Sequence, residues 1–216
     1  TTETFEYDAE DRMTAKTDRA GRTTTMTYDA AGRLKTTTFP DGASITNTYD
    51  DAGRNTAQTD ERGNVTTYEF DDADRLIKVT DALGNETEYT YDAAGNKISE
   101  TDPRNNTTQY EYDGNDRRVK TTYADGTEST VAYDGNGNKT SETDQADNTT
   151  TFEYDAKNRL VKVIDALGNE TEYTYDSLGN RTAIVDANDH TTTFAYDALG
   201  RMTGRTLPLG MSESMT

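Results

Sequence analysis

The chain has 216 residues, with 22 basic and 41 acidic side chains, a formal net charge of −19 and only 31% hydrophobic residues. This acidity opposes binding to nucleic acid or anionic lipid, and the lack of a long apolar run opposes a membrane span. The absence of cysteine excludes disulfides and thiolate metal sites. A mean hydropathy of −1.02 alone would favour disorder, but aromatic residues recur at fixed spacing, which indicates an ordered repeat.

A Tyr-Asp pair recurs every 21 residues along the whole chain, with Phe-Asp in its place once. The aromatic members of these pairs are Tyr7, Tyr28, Tyr49, Phe70, Tyr91, Tyr112, Tyr133, Tyr154, Tyr175 and Tyr196. A fixed period of this length predicts a repeat architecture in which each unit buries apolar surface only against its neighbours. We therefore expect residues 1–216 to form a single array of ten repeats. Because neither end shows the polar cap of a terminal repeat, we interpret the chain as an excerpt of a longer array, or as a unit that continues end to end into copies of itself.

Each repeat begins with a turn that follows its aromatic-Asp pair. The residue four positions after the aromatic one is always Gly, Asp or Asn, the types that tolerate positive φ: Asp11, Gly32, Gly53, Asp74, Gly95, Asp116, Gly137, Asn158, Gly179 and Gly200. The three-residue connection between Asp92 and Asn96 predicts a type I turn that ends in a left-handed residue and joins two antiparallel strands. We expect the Asp that opens such a turn, for example Asp92 or Asp176, to accept a hydrogen bond from the backbone N–H two residues on. This turn role is favoured over a catalytic one.

A first segment of strand length follows, and its polarity varies. Residues 75–80 are largely apolar, whereas residues 139–143 are almost wholly polar. A second turn comes next, and the residue fourteen positions after the aromatic one is again Gly, Asn or Asp: Gly21, Gly42, Gly63, Gly84, Asn105, Gly126, Asp147, Gly168, Asp189 and Gly210. The two turns per repeat predict a tandem array of antiparallel hairpins.

A second segment of strand length closes the repeat and alternates strictly. Thr87, Tyr89 and Tyr91 alternate with acidic and hydroxyl residues, so Thr and two aromatics share one face of the strand. A lone hairpin of this kind buries too little apolar surface to fold, so we expect the hairpins to stack side by side. Because Phe70 occupies the place of Tyr91, we expect replacement of Tyr91 by Phe to be mild.

Two of the repeated positions change together every 84 residues. The Asp that opens the second turn gives way at Phe39, Tyr123 and Leu207, and the aromatic residue two before the next Tyr gives way at Asn47, Val131 and Met215. The segment Asp81–Asp92 also returns letter for letter at Asp165–Asp176. Duplication of a four-repeat block explains this pattern. Alternatively, four hairpins supply eight strands, enough to close one turn of a tube, so that the array winds into a spiral with this period.

The pattern Tyr-Asp-x-x-Gly-Arg-Leu stands at residues 28–34 and, with Met in place of Leu, at residues 196–202. It resembles the YD repeat of the Rhs family, which includes bacterial Rhs toxins, the shell components of Tc toxins, WapA-type wall-associated proteins and teneurins. The resemblance implies a strip of β-hairpins wound into a large shell, which in the toxin members encloses a cytotoxic domain. The chain lacks the core motif that ends such a shell, a self-cleaving aspartate region and a toxin domain.

The fold class expected is therefore all-β, with two strands per repeat wound into a spiral or tube, and the function expected is structural and not enzymatic. We interpret the chain as wall material of a secreted shell around a toxin or effector. The alternative is an open-ended extracellular fibre, stalk or adhesin that binds carbohydrate. The expected partners are neighbouring repeats or copies of the chain, an enclosed toxin domain or surface glycans, and the expected location is secreted or at the cell surface.

The sequence does not favour a catalytic, metal or sugar site. His190 is the only histidine and is interpreted as a turn residue, since no nucleophile context surrounds it. Asp71, Asp72 and Asp74 could hold calcium but lack the spacing of a calcium loop, so solvated turns are the preferred interpretation and no cofactor is expected. Strand aromatics could stack on sugars, but a packing role is preferred.

Overall fold

The computed structural model describes residues 2–214. Strands and tight turns account for nearly all of them, and a 3-10 turn covers Pro208–Gly210. The all-β class and the two antiparallel strands in each repeat are confirmed. The predicted exception at Met215 lies outside the described residues.

The chain falls into two compact units, residues 1–107 and 108–216. The strands of the first unit are β1 (Thr4–Tyr7), β2 (Met13–Thr17), β3 (Thr23–Tyr28), β4 (Leu34–Thr38), β5 (Ser44–Tyr49), β6 (Asn55–Thr59), β7 (Val65–Phe70), β8 (Leu76–Thr80), β9 (Glu86–Tyr91) and β10 (Lys97–Thr101). Consecutive strands from β1 to β10 pair antiparallel. The unit is thus a meander of tandem hairpins.

The second unit repeats this arrangement. Its strands are β11 (Thr107–Tyr112), β12 (Arg118–Thr122), β13 (Glu128–Tyr133), β14 (Lys139–Thr143), β15 (Thr149–Tyr154), β16 (Leu160–Ile164), β17 (Glu170–Tyr175), β18 (Arg181–Val185), β19 (Thr191–Tyr196), β20 (Met202–Thr206) and β21 (Ser212–Ser214). Consecutive strands again pair antiparallel. The prediction of one continuous array across both units stays a prediction.

The two hairpins of a repeat differ in one respect that the sequence interpretation missed. After the second turn the strands pair without interruption, as in Thr38 with Ser44 and Thr37 with Ile45. After the first turn the register shifts, so that one residue seven positions after the aromatic has no partner across the hairpin. The unpaired residues are Thr14, Lys35, Thr56, Ile77, Ile98, Val119, Thr140, Val161, Thr182 and Thr203. Each repeat therefore carries a β-bulge in its first strand, which bends and twists the strip.

The strands present two unlike faces. One face carries the strand aromatics, such as Tyr89, and their partners across the hairpins. This aromatic face is half-buried, as at Thr87, Tyr89 and Tyr91. The opposite face, rich in hydroxyl groups and here called the hydroxyl face, is exposed along the same strand. Among the described residues only Ala15 and Thr121 are buried, at 8% and 6% exposure. The rings of the aromatic face are therefore not enclosed in a deep core.

The first unit curls toward its aromatic face. Lys16 lies on this face, opposite Phe5. Glu3, just before β1, and Glu61, in the turn between β6 and β7, line the same cavity as Lys16 and Phe39. Residues this far apart along the strip meet at one cavity because the strip is concave there. This curvature is in keeping with the predicted winding.

Candidate functional site: the Tyr-Asp edge

The edge of each unit that carries the first turns, here called the Tyr-Asp edge, is built from one recurring turn. Gly95 donates its N–H to the carbonyl of Asp92 at 3.2 Å, and Asp92 donates its own to the carbonyl of Asn96 at 3.0 Å. These bonds define a type I turn followed by a left-handed residue. Positive φ occurs at all twenty positions predicted in the two turns, for example 97° at Gly95 and 62° at Asp74. Leu209 also has a positive φ, of 70°, which the sequence did not predict.

The aspartate of the pair caps the turn with both carboxylate oxygens. Asp29 Oδ1 accepts the N–H groups of Ala31 and Arg33, both at 2.9 Å, and its Oδ2 accepts Arg33 Nε at 2.7 Å. In Asp176 the same oxygens accept the N–H groups of Leu178 and Asn180 and the Asn180 amide. The sequence predicted only the hydrogen bond from the N–H two residues on. Asp29 and Asp176 each accept two more, from the backbone and the side chain of the residue four positions on.

These bonds favour the ionised carboxylate. The pKa of Asp29 lies below its ordinary value, first because of the Arg33 backbone N–H and also because of the Arg33 side chain. The Arg159 side chain, followed by its backbone N–H, lowers the pKa of Asp155 to about 2. Both oxygens are occupied and the group stays charged at neutral pH, so the arrangement suits a turn cap and not a general acid or base.

An arginine links each turn to the next repeat. The Arg33 guanidinium lies over the ring of Tyr49 at 4.6 Å, and its Nη1 donates to the Asp50 carbonyl at 2.9 Å. The same stacking joins Arg12 to Tyr28, Arg54 to Phe70, Arg75 to Tyr91, Arg117 to Tyr133 and Arg159 to Tyr175. Each of these arginines therefore caps its own turn and holds the aromatic-Asp pair of the following repeat.

The tyrosine hydroxyl links the repeats in the opposite direction. Tyr91 donates its hydroxyl to the Leu76 carbonyl at 2.8 Å, and Tyr49 donates to the Leu34 carbonyl at 2.9 Å. Tyr28, Tyr175 and Tyr196 make the equivalent bond fifteen residues back. The prediction that Tyr91→Phe is mild did not include this hydrogen bond between repeats and stays a prediction.

Where the arginine is absent, a cation appears one residue later. Asn96, Asn138 and Asn180 take its place, and Lys97, Lys139 and Arg181 follow them. Lys139 Nζ lies 4.6 Å from the centre of the Phe152 ring, and the Arg181 guanidinium lies 5.2 Å from that of Phe194. In these repeats the cation therefore lies over a ring in the middle of a strand, and not over the Tyr of the Tyr-Asp pair. This paired substitution is visible in the sequence and could have revealed the role of the arginines.

The remaining predicted positions follow the same plan. Tyr112, Tyr133 and Tyr154 end strands β11, β13 and β15, while Tyr7 at the end of β1 is 59% exposed. Gly32, Gly84 and Gly168 have φ of 80°, 81° and 82°. We propose from these contacts that the repeated positions have a structural role.

The chemical sites considered from the sequence do not assemble. His190 is 55% exposed, its N–H donates to Asp186, and its Nδ1 lies 3.3 Å from Asp186 Oδ2, as a turn residue would. Asp71 is bound by Arg75, and Asp74 pairs with Arg54. Within residues 2–214 no three His, Asp or Glu side chains are grouped to hold a metal ion. No helix in that range is long and apolar enough to cross a membrane.

Comparison with known proteins places the chain in a family. The model of the RHS repeat matches residues 1–44, 49–86, 70–106, 91–128, 133–170, 154–191 and 175–210. The chain belongs to the RHS repeat family. No curated protein matches this RHS chain.

Solved structures share its fold. The crystal structure of TcdB2-TccC3-TEV aligns with a TM-score of 0.67 and 18% identity, over 94% of the RHS chain and 13% of its own length. A Photorhabdus luminescens Tc holotoxin pore aligns over 95% of the RHS chain and 14% of its own, with 17% identity and a TM-score of 0.47. The first likeness shows the fold, and the RHS chain spans a small part of the protein it matches.

Proposed function

We propose that the chain is a structural segment of the wall of a secreted RHS-type shell that encloses a toxin or effector. One observation carries this proposal: on the Tyr-Asp edge, arginine contacts point forward to the next repeat and tyrosine hydroxyl bonds point back to the previous one. The recurring Arg and Tyr side chains thus hold neighbouring repeats together. Contacts of this kind suit a protein whose role is to form a continuous wall of repeats.

The same contacts oppose an enzymatic role. The capping carboxylates are saturated by turn bonds, as Asp29 and Asp155 illustrate. The single histidine lies in an exposed turn. Acid-base catalysis needs titrating groups that are free to exchange protons with a substrate. The repeated carboxylates are instead occupied by hydrogen bonds within the turns.

The concave aromatic face of the first unit supports a wall that encloses a space. The strip curls toward the rings, so the exposed hydroxyl face would be outside and the ring face inside. The partners proposed are neighbouring repeats, copies of the chain and an enclosed toxin or effector. Secretion or display at the cell surface follows from the family resemblance.

An open-ended fibre or stalk is the second candidate. It is favoured by one observation, the regular occurrence of the same bulge in all ten repeats. Equal bends at equal intervals suit a uniform spiral that copies of the chain could extend.

Electron microscopy of the purified protein separates the two candidates. A shell predicts discrete particles or arcs with a lumen wider than a packed eight-stranded tube, lined by the aromatic face. End-to-end polymers with rings packed across a narrow tube would overturn the shell proposal in favour of the fibre.

A further inference from the structure

The Arg-Tyr contacts of the Tyr-Asp edge describe a guanidinium site that recurs along the chain. In the second unit, the Arg159 guanidinium lies 4.6 Å from the centre of the Tyr175 ring, and its Nη1 donates to the Asp176 carbonyl at 3.0 Å. Arg117 lies over the ring of Tyr133 in the same way, at 4.1 Å. The site thus consists of a ring beside a backbone carbonyl, and each repeat offers it to the arginine of the repeat before.

Two copies of this site in the second unit lack their arginine. The repeats that precede Tyr154 and Tyr196 carry Asn in its place, at positions 138 and 180. Among the residues that the structure describes, no Lys or Arg side chain lies over either ring. Both tyrosines are partly exposed. The ring and the carbonyl of the site are therefore present at both places without the cation that they hold elsewhere.

The asparagine takes over only part of the contacts that an arginine makes. Asn138 Nδ2 donates to Asp134 Oδ2 and to Asn158 Oδ1, both at 2.9 Å. The first bond caps its own turn, and the second reaches the following turn. Within residues 2–214 the Asp155 carbonyl, which matches the one that an arginine reaches, accepts only the N–H of Asn158. Its second lone pair is available to a further donor.

We propose that the Tyr154 and Tyr196 sites bind arginine side chains of a basic partner protein. A guanidinium suits them better than an ammonium, because it is planar and stacks on a ring while it donates sideways to a carbonyl. The net charge of −19 attracts a basic segment to the chain. This proposal is independent of the wall function, since a shell or a fibre could carry such sites.

The spacing of the two sites indicates the spacing of the arginines. Tyr154 ends β15 and Tyr196 ends β19, four strands further on. At about 4.8 Å per strand, the sites lie roughly 19 Å apart along the sheet. An extended segment spans that distance with about five residues between two arginines, at roughly 3.3 Å per residue. A partner of this kind engages both sites at once, so the second contact adds to the affinity of the first.

The test uses variants that restore the missing arginine. Asn138→Arg and Asn180→Arg install the residue that neighbouring repeats already have at this position, so the new side chain fills the site from within the chain. Asn169→Arg is the matched control, because it adds the same charge at a second turn, where Arg22 already stands at the equivalent position.

Calorimetry and NMR on the full chain give the readout. The probe is the peptide Arg-Gly-Ser-Gly-Ser-Gly-Arg with blocked ends, and the same peptide with lysine in place of arginine tests whether the guanidinium is needed. A salt concentration of about 0.15 M screens long-range attraction between exposed charges. The ring signals of Tyr154 and Tyr196 report binding at each site.

We expect the unmodified chain and Asn169→Arg to bind the arginine peptide about tenfold more tightly than the lysine peptide, with shifts of both Tyr ring signals. Each single variant should lose the shift at its own Tyr, and the double variant should bind the two peptides equally weakly. Equal binding of the two peptides by the unmodified chain would overturn the proposal. So would arginine-specific binding that the double variant retains. A higher Tm of the double variant, without arginine-specific binding by the parent, would show that the asparagines only weaken the link between repeats.

Discussion

At the scale of the residue, backbone conformation decides which turn positions tolerate change. Gly84 has a φ of 81°, and a Cβ there would meet nothing within 4 Å, so the obstacle to a side chain is the backbone and not space. Neighbouring Leu83 is 88% exposed. We expect Gly84→Val to destabilise the chain by about 1–2 kcal/mol and Leu83→Ser to change its stability by less than about 0.5 kcal/mol. Urea denaturation measures both.

A third variant serves as the control for Gly84. Asn105 has a φ of 61° at the equivalent position of the next repeat. Gly84→Asn should therefore cost clearly less than Gly84→Val. Equal losses for Asn and Val would mean that the turn depends on something other than positive φ.

The Tyr91 hydroxyl supports a second prediction. It donates to the carbonyl of Leu76 across the boundary between repeats, so Tyr91→Phe removes one hydrogen bond and leaves that carbonyl without it. We expect a loss of about 0.5–1.5 kcal/mol in the free energy of unfolding. Tyr7→Phe is the comparison, because Tyr7 is 59% exposed and its hydroxyl can bond to water. An equal effect of the two variants would show that the bond to Leu76 contributes nothing.

Local chemistry explains why the turn residues were easier to predict than the arginines. Positive φ is a property of one residue, and its steric cost restricts the choice to Gly, Asn and Asp. The position of Arg33 over Tyr49 depends on how adjacent hairpins align, which no single residue specifies. Leu209 is an exception to this restriction: it has a φ of 70° although leucine is not a residue type that predicts positive φ.

At the scale of the element, the odd length of the repeat explains the bulge in its first strand. Two three-residue turns keep paired residues on the same face, so a repeat without a bulge must contain an even number of residues to return its rings to one face. The period of 21 residues therefore requires one extra residue per repeat. The strand alternation of Thr87, Tyr89 and Tyr91 was predictable because it lies in the uninterrupted strand. The bulge sits in the first strand, where mixed polarity conceals it.

Deletion of a bulge residue tests this account. Lys35 is the unpaired residue of β4 and is exposed. Removing it leaves twenty residues in that repeat, an even number, so the following residues should keep their faces and β4 should still pair with β5. Lys35→Ala, which keeps the bulge, should change stability by less than about 0.5 kcal/mol. Hydrogen exchange should show protected β4 and β5 amides in both variants, and loss of that protection in the deletion alone would contradict the role given to the bulge.

At the scale of the whole molecule, the capping aspartates make stability depend on acid. Their pKa values are lowered in the fold by turn N–H groups and by Arg or Asn side chains, and that of Asp155 falls to about 2. A carboxyl whose folded pKa is depressed stabilises the fold above its unfolded value of about 3.9, and this contribution is lost as the pH falls toward the folded value. We expect thermal stability to decline between about pH 4 and pH 2. Circular dichroism melts that do not change across this window would contradict the capping role.

The linear arrangement of neighbour contacts predicts that a complete repeat can be removed. In the first unit, deletion of residues 50–70 joins Tyr49 to Asp71 and recreates an intact aromatic-Asp turn with Arg75 in its usual place. Each strand then finds a partner of the same kind as before, and Arg33 meets the same ring because Tyr49 is retained. We expect this chain to fold with a Tm within a few degrees of the parent. Deletion of residues 50–69 also leaves an aromatic-Asp pair, but it places Phe70 directly after Tyr49 and turns the rings of β5 out of register with the turn. That chain should melt well below the other, and similar Tm values for the two deletions would show that the face of each strand is not what holds the repeats together.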